Sequence, residues 1–509
     1  MWPKMPAFAA CSALGGASSQ IHLATMAGLK ILEEGGNAFD AAITISSVLT
    51  VLLPSTSSIG GDGFLLAIDS GGDIVAYNGS GRSPRDFPTE EYLAEKPIRG
   101  PLTITVPGLV DLWEWLWENY GSKDLSFLLG KAIVLARNGH YVQEPLARSI
   151  EYNRPALQAY ESWNRVFGRL HEGMRVRFPR LAKVYSMIAR RGADAFYRSE
   201  ITEDIVEELR RNGAPIAYED FADHKGERVE PIRSSYKDYE LYELPPNTQG
   251  LSTLQLIKAI EVSGIDELPF EDSIRIRNYF DIAAMVYEDR DRHVADPKYC
   301  KAPIDELLSP DYLSRKLGRR SSGRTLSGGD TTFFVVADRH RNFVGFIQSV
   351  FYGFGSGIVA HEIPFQNRGA GFAKEIGVPN SPAPLKRPLH TLSVLLARHE
   401  KKGDFMIGCA GGDYRPQIHA EVFLNIASYG MPLARAVEAP RYILISWGRS
   451  GMRAIVEEEL SVRDLPSWVE VIGLRRPGTG IVHAMRKDRQ GIFYFVADPR
   501  GGGLAAPLM

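Results

Sequence analysis

Residues 329–360 read GDTTFFVVADRHRNFVGFIQSVFYGFGSGIVA, and the run that begins at Thr331 decides the fold. This run is rich in β-branched and aromatic residues, which favour a buried strand. Polar residues at 339–342, RHRN, interrupt the run, and a second apolar run follows at 343–352. The pattern predicts a β-hairpin around this polar turn.

The residues before this hairpin have a different character. Residues 319–330, RRSSGRTLSGGD, are rich in Arg, Ser and Gly and contain a single apolar residue. This composition predicts a solvated, flexible linker. The hairpin therefore begins a new segment of the chain at Thr331.

The glycine-rich stretch after the hairpin, GFGSG at 353–357, invites a nucleotide-loop interpretation. No GKS/T follows it, and Ile358 stands where the dinucleotide fingerprint has its third Gly. We therefore predict a tight turn at the end of the strand. A conventional serine triad has no support either, because no G-x-S-x-G occurs between a predicted strand and a predicted helix.

Helix and strand patterns alternate around the hairpin. Apolar residues with helical spacing at 22–53 predict two helices joined at Gly35 and Gly36. Residues 64–79 contain two β-like runs separated by glycines, which predict a second hairpin. The charged residues at 288–293 predict a solvated or salt-bridged face of a helix.

Length and composition limit the class of protein. A chain of 509 residues exceeds the usual single-core limit of roughly 250–300 residues, so two domains or one large layered domain are expected. Apolar residues make up 44% and charged residues 24%, which is ordinary globular usage. The net charge of -2 offers no electrostatic source for binding nucleic acid, so none is predicted as a partner.

Metal, cofactor and membrane functions have no support in the sequence. Cys11, Cys300 and Cys409 show no paired spacing, which argues against a disulfide framework and a thiolate metal site. The 11 histidines form no HExxH motif, and we predict neither a metal nor a cofactor. No apolar run suits a signal peptide or a bilayer span, which leads to a prediction of a cytoplasmic protein.

The stretch at 329–360 resembles the start of the small subunit of γ-glutamyltranspeptidases, where two Thr residues follow a loop and a GFGSG-like turn follows two strands. Further segments fall in that family's order along nearly the whole chain. They are LATMAGLKILEEGGNAFDAA (23–42), SSIGGDGF (57–64), VPGLVDLWEWLWENYG (106–121), LPPNTQGLSTLQ (244–255), FDIAAMVYEDRDRHVADP (280–297), KRPLHTLS (386–393), CAGGDYRPQ (409–417) and FVADPRGGG (495–503).

This resemblance implies a mixed α/β fold, the four-layer αββα sandwich of N-terminal nucleophile hydrolases. It also implies that the chain is an inactive precursor that cuts itself between Asp330 and Thr331. Residues 1–330 would then be the large subunit and residues 331–509 the small catalytic subunit. The two would stay associated as one αββα domain, with 319–330 as the linker between them.

The resemblance also implies a catalytic apparatus. Thr331 would be the nucleophile, because its freed α-amine can serve as general base beside its hydroxyl. Ser349 takes the position of a second hydroxyl that holds the nucleophile in place. Gly411 and Gly412 match the Gly-Gly turn whose backbone N–H groups form the oxyanion hole.

The residues expected around the substrate match the family only in part. Transpeptidases have two adjacent serines where this chain has His390 and Thr391, so only the second hydroxyl is kept. They have an Arg where this chain has Asn78, and Arg82 follows four residues later. Phe351 replaces a polar Asn.

The cation and anion that hold a γ-glutamyl group are therefore altered. Gly371 stands at the position of the Asp that binds the α-amine, and Arg368 lies near the family's Gln. This pocket suits an anionic or apolar acyl group better than a zwitterion.

The predicted function is self-processing amide hydrolysis through a Thr acyl-enzyme. The substrate would be a small-molecule γ-glutamyl amide of the glutathione type or a related N-acyl amide, with transfer to amino acids or peptides as a second outcome. Two alternatives stay open: an amidase like cephalosporin or glutaryl acylases, and a non-catalytic homologue that binds small anions. The sequence leaves open the natural substrate and any homo-oligomer of the processed unit.

Overall fold

The computed structural model describes residues 8–318, 323–449, 451–460, 462, 464–473 and 477–509. Its helices are α1 (His22–Glu33), α2 (Ala38–Leu52), α3 (Thr89–Glu95), α4 (Leu109–Tyr120), α5 (Leu125–Leu128), α6 (Gly130–Asn138), α7 (Glu144–Leu157), α8 (Glu161–Val166), α9 (Pro179–Arg191), α10 (Asp194–Tyr197), α11 (Glu200–Arg211), α12 (Tyr218–Ala222), α13 (Gly250–Ser263), α14 (Ser273–His293), α15 (Ile304–Leu307), α16 (Pro310–Lys316), α17 (Arg415–Ala427) and α18 (Leu433–Glu438).

The strands complete the element list. They are β1 (Ala10–Ser12), β2 (Gly15–Ser19), β3 (Asp62–Ile68), β4 (Ile74–Asn78), β5 (His140–Tyr141), β6 (Arg175–Val176), β7 (Glu227–Arg228), β8 (Ile232–Tyr236), β9 (Tyr239–Glu243), β10 (Arg324–Thr325), β11 (Asp330–Asp338), β12 (Phe343–Phe351), β13 (Val359–Ala360), β14 (Ile363–Pro364), β15 (Leu395–His399), β16 (Gly403–Ala410), β17 (Tyr442–Trp447), β18 (Arg453–Glu457), β19 (Val469–Ile472), β20 (Ile481–Lys487), β21 (Phe493–Ala497) and β22 (Leu504–Pro507).

Two seven-stranded sheets form the centre of the fold. Sheet I has the order β22-β2-β11-β12-β3-β4-β7, and sheet II has the order β1-β21-β20-β16-β15-β9-β8. The predicted hairpin is the β11–β12 pair in the middle of sheet I, and the predicted hairpin at 64–79 is the neighbouring β3–β4 pair. A four-stranded sheet, β10-β17-β18-β19, lies apart from both.

The two faces of β11 pack against different layers. Phe333 and Val335 lie in the apolar cluster between the sheets, together with Met406 of sheet II. Phe334 and Val336 point the other way and pack with the helices that cover sheet I. Successive side chains of a strand alternate between its two faces. A strand that is buried on both faces therefore needs apolar residues at successive positions, as in this part of the sequence.

Helices cover the outer face of each sheet. α2 packs on β11 and β12, and α13 and α17 pack on β9 and β16 of sheet II. The second helical layer shares one apolar cluster with its sheet, in which Leu254 and Ile418 lie with Leu395 and Ile407. The predicted four-layer αββα arrangement is therefore confirmed.

α2 is fixed to the sheet that carries the hairpin. Its first turn has a capping box, in which the Asn37 side chain accepts from the backbone N–H of Asp40, and the Asp40 carboxylate accepts from the N–H of Asn37. Farther along the helix, the Ser46 hydroxyl accepts from Trp113 Nε1 at 2.7 Å and donates to the Gln348 side chain. This chain of hydrogen bonds ties α2 and α4 to β12, one residue before Ser349.

The predicted linker is held in place in its second half. Residues 319–322 lie outside the described part of the chain, but β10 pairs with β17. The N–H of Leu326 donates to the carbonyl of Ile445 at 2.8 Å, and the Leu326 side chain is buried. The expectation of a solvated segment is therefore wrong for Leu326, because this apolar side chain gains a buried position against the four-stranded sheet.

In the described residues, no helix is long and apolar enough to cross a membrane.

Replacing Phe333 with Ala is expected to lower the free energy of unfolding by about 3–5 kcal/mol, because it leaves a cavity between the two sheets. Urea titration followed by tryptophan fluorescence measures this change. The control is Tyr152→Ala, whose side chain is exposed and whose loss should change stability by no more than about 0.5 kcal/mol. Equal losses in both variants would contradict the assignment of Phe333 to the inter-sheet core.

Candidate functional site

Thr331 lies at the start of β11, where the pairing with β12 is irregular. Asp330 pairs with Phe351 and Thr332 pairs with Gln348, so the register shifts between them. This shift places the Thr331 hydroxyl, which is buried, 3.4 Å from the hydroxyl of Ser349 on the neighbouring strand. Two hydroxyls that are 18 residues apart in sequence meet because the hairpin is antiparallel.

The Ser349 hydroxyl is also bonded to the peptide that precedes Thr331. It donates to the carbonyl oxygen of Asp330 at 2.7 Å and accepts from the N–H of Phe351 at 2.8 Å. In a chain that is continuous through the Asp330–Thr331 bond, Thr331 carries a peptide N–H and no free amine. The arrangement forms a chain of hydrogen bonds from the Thr331 hydroxyl through Ser349 to the carbonyl of Asp330.

Phe351 holds an unusual backbone conformation at this point. Its φ is +81°, a left-handed value that costs energy for a residue with a large side chain. This conformation accompanies the contact of its N–H with Ser349. The Phe351 ring stacks on Tyr352, with the ring centroids 4.4 Å apart.

Arg415 contacts Thr331 directly. It is the first residue of α17, and its guanidinium is fully buried. Nη2 donates to the Thr331 hydroxyl oxygen at 3.2 Å, and Nε donates to the carbonyl of Cys409 at 2.9 Å. A cation at this distance stabilises negative charge on the Thr331 oxygen.

The Gly411–Gly412 turn lies beside the residues that precede Thr331. Gly412 has φ +54°, and a Cβ there would lie 2.3 Å from the backbone nitrogen of Gly329, so only glycine fits. Its carbonyl accepts from Gln249 Nε2 at 2.8 Å, and the same amide donates to the carbonyl of Thr391 at 2.9 Å. Gln249 therefore joins the predicted turn to the predicted substrate-side residue Thr391.

We call residues 324–330 the leader. Asp413 forms two hydrogen bonds with the backbone of Ser327, which lies in this segment. The Asp413 N–H donates to the Ser327 carbonyl at 2.9 Å, and the Ser327 N–H donates to Asp413 Oδ2 at 3.0 Å. Arg290 Nη1 donates to Asp413 Oδ1 at 2.7 Å. Burial by itself would raise the pKa of Asp413, but the charges of Arg290 and Arg324 and the Ser327 N–H lower it below its ordinary value.

Arg290 belongs to the charged stretch at 288–293, for which the sequence predicts a solvated or salt-bridged helix face. The salt-bridge part of that prediction is confirmed, since Arg290 pairs with Asp291 as well as Asp413. The solvated part is wrong for Arg290, whose side chain is 0% exposed. Its two carboxylate partners offset part of the cost of burying the charge.

Arg368 lies over the face of Phe351. The centre of its guanidinium is 4.1 Å from the ring centroid, which is a cation–π contact. Nη1 donates to the Thr391 hydroxyl at 3.3 Å. Burial lowers the pKa of Arg368 to about 9, against the raising effect of the Asp62 charge, so the guanidinium stays protonated at neutral pH.

His390 forms a buried pair with Asp62. Its Nε2 lies 3.0 Å from Asp62 Oδ2, and its Nδ1 accepts from the N–H of Leu392 at 3.3 Å, which assigns the ring proton to Nε2. Burial and the nearby arginine charges depress the pKa of His390 well below its ordinary value. Burial raises the pKa of Asp62 to about 7, although Arg368 and several N–H donors lower it. His390 is therefore a neutral donor.

The two residues predicted for the substrate carboxylate have different surroundings. Asn78 is buried, and its Nδ2 donates to the Asn247 side chain at 2.9 Å. The carbonyl of Asn247 accepts from the N–H of His390, so Asn78 belongs to the network around the site. Arg82 instead pairs with Asp296 at 2.8 Å and with Glu227 at 3.2 Å.

A family model described as Gamma-glutamyltranspeptidase matches residues 24–508. The chain belongs to the γ-glutamyltranspeptidase family. It is 33% identical to the glutathione hydrolase-like YwrD proenzyme of Bacillus subtilis (strain 168), over 96% of this chain and 97% of that protein. It is 30% identical to the oxamate amidohydrolase proenzyme of Klebsiella pneumoniae, over 95% of this chain and 97% of that protein.

Solved structures show the same fold. The cephalosporin acylase from Bacillus halodurans matches with a TM-score of 0.86 and 28% identity, over 99% of this chain and 99% of that chain. The fold is therefore that of the γ-glutamyltranspeptidase and cephalosporin acylase group of N-terminal nucleophile hydrolases. The chain is an amidohydrolase enzyme.

The structure brings most of the predicted site residues together. Hydrogen bonds or ring contacts link the following residues directly or through Gln249: Thr331, Ser349, Phe351, Arg368, Thr391, Gly412 and His390. Four further residues contact this site without having been predicted as site residues: Asp62, Gln249, Asp413 and Arg415. The signal for the last two was the charged pair in GGDYR, directly after the Gly-Gly turn.

The pH dependence of stability tests the Asp62–His390 pair. Burial raises the pKa of Asp62 in the folded chain to about 7, whereas the unfolded chain has the ordinary value of 3.8. Stability contributed by this group therefore falls as pH rises from about 4 to 7, by at most about 4 kcal/mol at roughly 1.36 kcal/mol per pKa unit. Asp62→Asn should remove that slope.

Denaturant titrations at several pH values between 4 and 8 measure the effect. The control is Asp194→Asn, whose carboxylate is exposed and whose variant should keep the wild-type slope. Parallel curves for wild type and Asp62→Asn would mean that Asp62 is ionised throughout this range.

Proposed function

We propose that this enzyme processes itself at Thr331 and then hydrolyses a γ-glutamyl or related N-acyl amide through an ester on the Thr331 hydroxyl. The observation that carries the proposal is the hydrogen-bond chain from the Thr331 hydroxyl through Ser349 to the carbonyl of Asp330. It joins the attacking oxygen, a proton carrier and the bond to be cut.

Processing begins with attack of the Thr331 oxygen on the carbonyl carbon of Asp330. Ser349 donates to that carbonyl oxygen, which polarises it, and Arg415 stabilises charge on the attacking oxygen. The C–N bond breaks, the Thr331 nitrogen takes up a proton, and an Asp330 ester remains on the Thr331 oxygen. Water then hydrolyses this ester, which leaves a carboxylate on Asp330 and a free amine on Thr331.

Substrate hydrolysis uses the amine that processing has freed. An α-amine titrates near 7.7–8.0, so it can take the hydroxyl proton of Thr331 at neutral pH. The acyl group passes to the Thr331 oxygen and the amine product leaves, after which water regenerates the hydroxyl. The expected oxyanion donors are the backbone N–H groups of Gly411 and Gly412.

The two products of processing would be residues 1–330 and 331–509, which stay together as one αββα unit. Strands of sheet I come from both segments, because β11 and β12 lie between β2 and β3. Neither segment can complete the sheet alone. Cytoplasmic location, independence from cofactors and any assembly into homo-oligomers stay predictions.

The acyl group is the least determined part of the function. The relatives' names include glutathione hydrolase-like, oxamate amidohydrolase and cephalosporin acylase, which differ in the acyl group. Asn78 and Gly371 at the family's α-carboxylate and α-amine positions favour acyl groups other than the γ-glutamyl zwitterion. A non-catalytic small-anion-binding homologue is the competing function.

Thr331→Ala should abolish both processing and hydrolysis. A denaturing gel of the purified wild type is expected to show two bands, and the variant one band of full length. After incubation with amide substrates, mass spectrometry should find the acyl group on the fragment 331–509. The control, Thr332→Val, removes the neighbouring hydroxyl and should still be cut. A wild type that remains one uncut, inactive chain would support the binding homologue.

Asp413→Asn should slow processing by roughly tenfold or more, because it removes the charge that Arg290 and the leader pair with. The rate is read from the time course of the two bands after rapid purification. The control is Glu288→Gln on the same helix, whose carboxylate pairs with Arg292. Similar rates in wild type and Asp413→Asn would show that the hydrogen bonds between Asp413 and the leader do not contribute to cleavage.

A further inference from the structure

We propose that Arg368 and Arg415 form a carboxylate-binding subsite beside Thr331, so that the preferred substrates are amides whose acyl group ends in a second carboxylate. These are monoamides of short dicarboxylic acids. The inference rests on the proposed hydrolysis at Thr331, and it specifies the acyl group that the general function leaves undetermined.

Both guanidinium groups are buried, and each has N–H donors without a hydrogen-bond acceptor in the described part of the chain. Arg368 and Arg415 are each 0% exposed. In the described part of the chain, Nε and Nη2 of Arg368 and Nη1 of Arg415 have no hydrogen-bond partner. A buried N–H of a charged group without a partner is costly, and a bound anion removes that cost.

The two arginines also lack an ion pair within the described residues. Each nearby carboxylate is engaged elsewhere: Asp413 pairs with Arg290, and Asp62 accepts from His390 and from backbone N–H groups. The site around Thr331 therefore carries two buried positive charges without a contacting counter-charge. A carboxylate matches the forked donors of a guanidinium better than a neutral group does.

Arg415 contacts the reacting hydroxyl directly, and Arg368 is linked to it through Phe351 and Ser349. Arg415 touches the Thr331 hydroxyl oxygen at 3.2 Å. Arg368 lies over Phe351, whose N–H donates to the Ser349 hydroxyl. The leader covers this region in the uncut chain, since Gly329 lies against Gly412 and the Phe351 carbonyl. Cleavage after Asp330 frees the chain end that lies there.

The position of Arg415 limits the length of the acyl group. One of its terminal nitrogens contacts Thr331, so a carboxylate on its other terminal nitrogen lies only a few bonds from the carbonyl under attack. With hydrogen bonds of about 2.8 Å and an attack distance of about 3 Å, a spacer of about two methylene groups fits. Succinyl has this length.

The same charges disfavour a γ-glutamyl group. Its α-ammonium would approach two guanidiniums, and the family's Asp that binds this ammonium is replaced by Gly371. Like charges at short range in a buried site repel strongly. A dicarboxylic monoamide carries the carboxylate without the ammonium.

The decisive experiment compares succinyl-p-nitroanilide with butyryl-p-nitroanilide, which have equal acyl length but end in a carboxylate or a methyl group. With processed wild type, kcat/KM for the succinyl compound should exceed that for the butyryl compound by at least about 100-fold. In Arg368→Met the ratio should fall at least about tenfold. The control is Arg275→Met, a buried arginine held by Phe270 and Tyr442 elsewhere in the fold, which should keep the wild-type ratio.

Inhibition of the wild type gives a second measurement that needs no variant. Succinate should inhibit cleavage of either anilide at a concentration at least about tenfold below that required of butyrate. Equal turnover of the two anilides together with equal inhibition by the two acids would overturn the subsite while leaving Thr331 hydrolysis intact. Loss of all turnover in wild type, as in Thr331→Ala, would instead overturn the proposed function.

Discussion

The pairing of β11 with β12 is the constraint on which the site depends. Its shifted register at Asp330 sets the Thr331 hydroxyl beside Ser349, and Ser349 beside the carbonyl of the preceding peptide. Because both strands are buried on both faces, the register cannot slip without exposing apolar side chains. The packing of two sheets and two helical layers thus holds the Thr331 hydroxyl, the Ser349 hydroxyl and the Asp330 carbonyl in one chain of hydrogen bonds.

Buried positive charge surrounds this chain of hydrogen bonds and makes the site favourable for anions. Arg415 contacts the Thr331 oxygen and Arg368 lies over the Phe351 ring, while His390 is kept neutral by burial and its bond to Asp62. A buried cation favours oxygen anions, whether the oxygen belongs to a nucleophile or to a substrate carboxylate. In the proposed function, processing and substrate choice both depend on this electrostatic feature.

The leader is held against this site by contacts with its backbone. Asp413, held by Arg290, binds the backbone of Ser327 in both directions, and Gly329 packs against Gly412 where any side chain would clash. These contacts are made to backbone atoms, so they position the chain before Asp330 without depending on its side chains. The close approach of two glycines explains why the segment is glycine-rich.

The sequence by itself predicted the main elements, because apolar periodicity and turn residues act over a few positions. The αββα class, the family and Thr331 as the candidate nucleophile followed from its resemblance to γ-glutamyltranspeptidases. The sequence did not determine which distant charges meet. Asp413 and Arg290 are 123 residues apart, Asp62 and His390 328 apart, and Arg415 and Thr331 84 apart. Only the tertiary structure decided these pairs, because residues so far apart in sequence meet only when the sheets and helices pack together.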